Sequence, residues 1–194
     1  MQGIRESGIG ESGDGAQAAR AWQQTAMELV REDLAQGDLT RLRVAGHSMA
    51  PLVERGDLVL VQRANLEDLH RGDLLLVEQG GDFLVHRLVA ANAHRLYTKG
   101  DNASCADLPL PPQDVLGRVV AVEQGGRMIE LDRGQWPLVN RLLGLLGWGE
   151  VQLFAAGRTV KRRLVGAQSR PWTIRLASLA ATPFRWLTRL LTNQ

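Results

Sequence analysis

Apolar positions along the chain change their period twice. Between Ala18 and Gln36, a stretch without Gly or Pro, Trp22, Ala26, Leu29 and Leu34 recur near helical spacing and Gly37 ends the run. That pattern predicts a single helix over 18–37, ahead of the body. From Leu39 the period shortens to that of strands: Leu42 and Val44, Leu58 to Val61, Leu74 to Val77, Phe83 to Val89, and Val119 to Val122. Gln79-Gly80-Gly81 and Gln124-Gly125-Gly126 supply hairpin turns between such runs. Arg55-Gly56-Asp57-Leu58-Val59-Leu60-Val61 and Arg71-Gly72-Asp73-Leu74-Leu75-Leu76-Val77 nearly repeat, each setting a Gly-Asp turn before an apolar run. Two Arg-Gly-Asp copies, both at the start of a strand, read as turn chemistry and not as an adhesion signal. The expected fold is mainly β, α+β overall, with a compact meander or barrel-like sheet over residues 38–135.

After Trp136 the period lengthens again. Leu138 to Trp148 is apolar around Arg141, and Pro171 to Leu191 sets Leu176, Leu179, Trp186, Leu187 and Leu190 along one broad stripe. Arg175, Ser178, Thr182, Arg185 and Arg189 lie opposite, so residues 136–194 form a basic amphipathic helical region. Pro183 is expected to break the last helix in two, with Thr182 as N-cap and Pro183 at the first helical position. At the other end, Met1 to Gly15 is rich in Gly, Ser and acid and has no apolar core. Residues 1–17 therefore read as a flexible tail and not as a secretory signal.

A chain of 194 residues suits one domain with appendages. It contains no run of about 18 uncharged apolar residues to span a bilayer. The expected location is the cytoplasm, with the chain peripheral at the inner face of the membrane. The single cysteine, Cys105, cannot close an internal disulfide, no paired-cysteine metal motif occurs, and no cofactor or metal is expected. The formal net charge of +2 conceals a division. Residues 1–132 carry 13 Lys and Arg against 20 Asp and Glu, whereas residues 133–194 carry 10 against Glu150 alone. A basic, apolar tail on an acidic body suggests attraction to phosphate, in anionic lipid or in nucleic acid, or else contact of an Arg-rich face with the body itself.

Candidate chemistry gathers in the middle. In Arg43-Val44-Ala45-Gly46-His47-Ser48-Met49-Ala50-Pro51 a strand runs into a turn that exposes an isolated serine. Such a serine is by itself most often a turn-capping residue. Asp-Phe-Leu-Val-His-Arg-Leu-Val at 82–89 puts His86 on the strand face of Leu84 and Leu88. Thr98-Lys99-Gly100-Asp101-Asn102 ends the next strand in a polar turn, with Asp107 six residues beyond Asp101. Serine, histidine and aspartate thus occur in order. His47 is expected to point away from the nucleophile's side, His70 and His94 to face solvent from loops, Lys99 to sit in the turn, and Cys105 to be a small packed residue.

Over roughly residues 40–122 the chain resembles the signal peptidase I family, within the wider group that includes the self-cleaving LexA-type repressors. The resemblance is carried by Gly-His-Ser-Met-Ala-Pro at 46–51, Gly56-Asp57, Val85-His86-Arg87, Gly100-Asp101-Asn102 with Asp107, and Leu116-Gly117-Arg118-Val119-Val120. Its Val-His-Arg setting is similar to the branch of the family that uses a histidine base in place of lysine. The resemblance implies a signal-peptidase- or LexA-like β body. It also implies an acyl-transfer site with Ser48 as nucleophile, His86 as base, Asp107 as orienter, Asp101 as support within the catalytic set, and the Ser48 backbone N–H as oxyanion donor. Many signal peptidases carry an assisting serine two residues before the nucleophile, where this chain has Gly46.

The implied function is a serine endopeptidase that takes an extended peptide or precursor, held by strand addition, with small side chains such as Ala near the scissile bond. An anionic membrane surface, met through the C-terminal helices, is the second expected partner. Nucleic acid is not expected as a partner, because too few helices precede residue 38 for a helix-turn-helix unit. Two other functions share the motifs: a catalytically silent membrane-surface adaptor, and a repressor-like regulator with a LexA-type domain.

Overall fold

The computed structural model describes residues 12–37 and 39–164. The elements run α1 (Ser12–Gln36), β1 (Thr40–Arg43), β2 (Leu58–Gln62), β3 (Leu74–Gln79), β4 (Asp82–Ala91), β5 (Leu96–Lys99), β6 (Val115–Gln124), β7 (Arg127–Glu130) and α2 (Trp136–Leu164). The strands form one antiparallel seven-stranded sheet in the order β1-β2-β6-β3-β4-β5, with β7 also paired to β6. The mainly β body with a helix at each end is the expected fold class.

Local chemistry explains the turns. The two-residue loops Gly80-Gly81 and Gly125-Gly126 join β3 to β4 and β6 to β7 with positive φ at all four glycines. That backbone matches the right-handed twist of the flanking strands. In the repeated Arg-Gly-Asp turns the aspartate carboxylate accepts the backbone N–H three residues upstream, Glu54 to Asp57 and His70 to Asp73, each at 2.8 Å. The two copies build the same turn ahead of β2 and β3.

Strand β3 explains why Leu74-Leu75-Leu76-Val77 is continuously apolar. Leu74 and Leu76 enter a core with Met49, Leu52, Val59 and Val122. Leu75 and Val77 enter a second core with Leu88, Leu96 and Leu110 on the other face. A central strand covered on both faces has no polar side to alternate.

Helix α1 departs from expectation in two ways. It begins at Ser12, so part of the 1–17 segment read as a tail is helical. Its inward residues are Met27 and Leu34, with Val30 partly buried, whereas Trp22 and Leu29 are exposed. The helix lies beside the β3–β4 hairpin: Arg31 donates to Glu78 at 2.6 Å and stands over the Phe83 ring, and Gln23 donates to Asp82 at 2.6 Å.

Helix α2 starts at Trp136, with Pro137 in its first turn where a missing N–H costs nothing. It packs on β4 with Asn140, Leu143, Gly144 and Gly147 inward, the i, i+3, i+4, i+7 set of one helical face. The approach is close: a Cβ at Gly144 would stand 2.6 Å from the Gly72 backbone nitrogen, and one at Gly72 2.0 Å from the Asn140 carbonyl oxygen. No helix among the described residues is long and apolar enough to cross a membrane. The expected helix over Pro171 to Leu191, with its break at Pro183, lies outside the described residues.

Candidate active site

Ser48 stands in the turn that follows β1, and its neighbour anchors it. Met49 is buried in the core while His47 and Ser48 are exposed, so one apolar side chain fixes the depth of the turn. The peptide bond between Ala50 and Pro51 is cis. From the other side the Gly100-Asp101-Asn102 turn clamps the serine: the Asn102 backbone N–H donates to the Ser48 carbonyl at 2.8 Å, and the Asn102 side chain to the His47 carbonyl at 3.4 Å.

His86 reaches the serine from β4. Its Nε2 lies 2.9 Å from Ser48 Oγ and its Nδ1 lies 2.6 Å from Asp107 Oδ2. With Nδ1 carrying the proton, the carboxylate accepts from Nδ1–H and Nε2 is left to accept from the hydroxyl. The imidazole side chain is 9% exposed, which limits competition from water for both bonds. Asp107 is itself held by β5: its backbone N–H donates to the Thr98 carbonyl at 2.9 Å, and the Thr98 hydroxyl donates to Oδ2 at 2.7 Å. Ser48, His86 and Asp107, separated by 38 and 21 positions in sequence, thus form one hydrogen-bonded line.

Asp101, grouped with the catalytic residues in the sequence, has a different partner. Its two carboxylate oxygens accept from Arg87 Nε and Nη2 at 2.8 and 2.7 Å, a bidentate pair in which both residues are buried. Arg87 Nη1 also donates to the Gly72 carbonyl at 2.7 Å and to Asn140 of α2 at 2.9 Å. Asp101 therefore positions its turn and the residue next to His86 and does not touch the reacting groups.

Several residues near the site hold places that their sequence positions did not reveal. Thr98 braces Asp107 without any motif to mark it. Gly100 has no room for a side chain, since a Cβ there would stand 2.7 Å from the Ser48 carbonyl oxygen and 3.3 Å from His86 Nε2. Lys99, expected in the polar turn, instead ends β5 and is buried, with its Nζ 3.0 Å from Glu150 of α2. Cys105 is exposed and not packed. His70 and His94 are exposed as expected. No group of three His, Cys, Asp or Glu residues is placed to hold a metal ion among the described residues.

A groove of about 490 Å³ has Ser48 in its lining. One wall is the chain from Leu42 to Gly46 and the other is the start of β4, Asp82 to Val85, with Met49, Val53 and Leu76 among its lining. On β4, residues 82–87 pair with β3 along one edge, while β5 pairs only with residues between 87 and 91 on the other. The first half of β4 therefore presents backbone donors and acceptors that no strand takes up among the described residues.

The model of the family described as Peptidase S24-like matches residues 9–120, a span that contains Ser48, His86, Asp101 and Asp107. The chain matches none of the curated proteins.

Proposed function

The chain belongs to the Peptidase S24-like family, and on that premise we propose that it is a serine endopeptidase similar to signal peptidase I, cleaving a leader or signal-like peptide through an acyl-enzyme. The observation that carries this reading is the line from Ser48 Oγ through His86 to Asp107, at 2.9 and 2.6 Å.

In this mechanism the Ser48 hydroxyl attacks the scissile carbonyl while His86 Nε2 takes its proton. Asp107 holds the Nδ1 tautomer and stabilises the imidazolium that forms. The tetrahedral oxyanion falls to the Ser48 backbone N–H, in the turn whose Ser48 lines the groove. Collapse breaks the C–N bond, and His86 returns its proton to the leaving amine. Water then attacks the ester with His86 again as base, releasing the acid and restoring the serine. An extended substrate would lie in the groove against the open edge of β4, with backbone hydrogen bonds setting its register and the aliphatic lining receiving its side chains. Leu42, Val44, Met49 and Val85 favour small apolar residues near the scissile bond.

A fluorophosphonate probe tests the reading on the full chain. Covalent labelling is expected for the wild type, none for Ser48→Ala, and a loss on the order of 10⁴-fold in peptide turnover for His86→Ala. An unlabelled wild type, or a Ser48→Ala protein labelled at the same rate, would overturn it. The silent-adaptor alternative predicts the first of these outcomes.

A further inference from the structure

The face of α2 turned away from the sheet is more apolar than a solvated helix requires. Leu138, Leu142, Leu145, Leu146 and Leu153 are 71%, 47%, 53%, 44% and 63% exposed. They fall on one side of the helix, opposite Asn140, Leu143, Gly144 and Gly147, which pack on the body. Isolated exposed leucines are ordinary, but an aligned set of this kind marks an interaction surface.

Charge decides the kind of partner. Residues 133–194 carry 10 Lys and Arg and one acid, Glu150. That acid is turned inward against Lys99, with its side chain only 9% exposed. Among the described side chains of this region, the charges left facing outward are Arg133, paired with Glu130, and Arg141. Beside Leu145 the surface opens into a groove of about 440 Å³ whose lining combines Leu69, Leu88 and Ala91 with Arg71 and Arg141. Aliphatic area edged by guanidinium groups matches a bilayer interface, where leucines enter the acyl boundary and arginines reach headgroup phosphates. A second copy docked on the same face would set arginine against arginine.

We propose that the exposed leucine face of α2 binds the surface of an anionic lipid bilayer. The helix lies in the interface plane with Leu138, Leu142, Leu145, Leu146 and Leu153 inserted and Arg71 and Arg141 at the phosphates. The remainder of the chain, with 13 basic against 20 acidic residues over 1–132, is repelled by the same surface. Attraction on one face and repulsion elsewhere give the bound protein a single orientation. The contact does not depend on the peptidase reading, and a Ser48→Ala protein binds equally well.

The test is co-sedimentation of the full chain with phosphatidylglycerol or phosphatidylcholine vesicles, alongside the double variant Leu145→Glu/Leu153→Glu. Both leucines are exposed, so the variant should keep the wild-type melting temperature and circular dichroism. Expected results are binding to phosphatidylglycerol, loss of that binding at high salt, little binding to phosphatidylcholine, and about a tenfold loss for the double variant. The proposal is overturned if the wild type fails to sediment with phosphatidylglycerol, binds both vesicle types equally, or binds no better than the variant. A double variant that melts markedly lower, or that dissociates a wild-type dimer, also overturns it, because residues 165–194 or a second copy would then cover the leucines.

Discussion

Replacing Gly100 by alanine adds one methyl group at the most crowded point of the site. Gly100 does not have the positive φ that would itself reject a side chain, so the effect is steric. The new Cβ would stand 2.7 Å from the Ser48 carbonyl oxygen, 3.0 Å from Ser48 Cβ and 3.3 Å from His86 Nε2. Restoring ordinary contact at 3.4 Å requires the carbonyl to retreat by roughly 0.7 Å and Cβ by roughly 0.4 Å. Neither atom is the end of a flexible side chain. The carbonyl is tied to the Asn102 N–H, and Met49 next door is buried. Displacement therefore passes into the 2.9 Å contact between Ser48 and His86. A misplacement near 1 Å can cost about 10²-fold in rate, so Gly100→Ala should slow fluorophosphonate labelling by roughly 10- to 100-fold. Overpacking should cost about 1–3 kcal/mol and lower the melting temperature by several degrees. Stopped-time labelling of full-length protein, with a melting curve on the same sample, measures both. Gly149→Ala, with nothing within 4 Å of its added Cβ, serves as the control. A folded Gly100→Ala protein labelled within about twofold of the wild-type rate would refute the argument that this glycine sets the serine's position.

Two further predictions separate chemistry from architecture. Asp107→Asn should cut kcat/KM by about 10³–10⁴-fold through the His86 tautomer with little change in melting temperature. Asp101→Asn should instead cost about 3–5 kcal/mol of stability by leaving the buried Arg87 guanidinium without its counter-charge; kinetics and denaturant unfolding on both variants check this, and the opposite pattern would exchange their roles. Glu150→Gln removes the carboxylate that faces buried Lys99 and should destabilise the chain by roughly 3 kcal/mol in urea unfolding; a loss under about 1 kcal/mol would show that the pair contributes little.

The parts of this structure that were legible in the sequence are those with local causes. Gly80-Gly81 and Gly125-Gly126 announce two-residue hairpins because few other residues tolerate positive φ at both positions. The Gly-Asp pairs at 56–57 and 72–73 announce strand starts because a carboxylate can satisfy a nearby backbone N–H. The order of Ser48, His86 and Asp107 was visible as a set of motifs, whereas their convergence required the fold. What stayed hidden depends on distant partners. Arg87 meets Asn140 at a separation of 53 residues, and Lys99 meets Glu150 from another element altogether. No local pattern distinguishes a buried, paired lysine from one in a solvent-facing turn. The inward face of α1 was legible only in part for a related reason: Leu34 is buried as its spacing suggests, but Trp22 and Leu29 fit a helical period equally well and are exposed, while Met27 turns inward.

The polar seams of α2 bear on how this chain can be divided. A boundary at residue 135 suggests itself, because strand periodicity ends there and helical periodicity begins. Yet Arg87 shares its guanidinium between Asp101, the Gly72 carbonyl and Asn140, and Glu150 closes on Lys99. A protein cut at that boundary would keep both buried cations and discard the carboxylate and the amide that α2 brings to them. Hydrophobic interfaces can be trimmed and resolvated, but a buried guanidinium or ammonium that loses a polar partner leaves a group unsatisfied in the interior. The first half of α2 thus belongs to the same body as the sheet, and an excised or transplanted version of that body must carry the helix at least through Glu150.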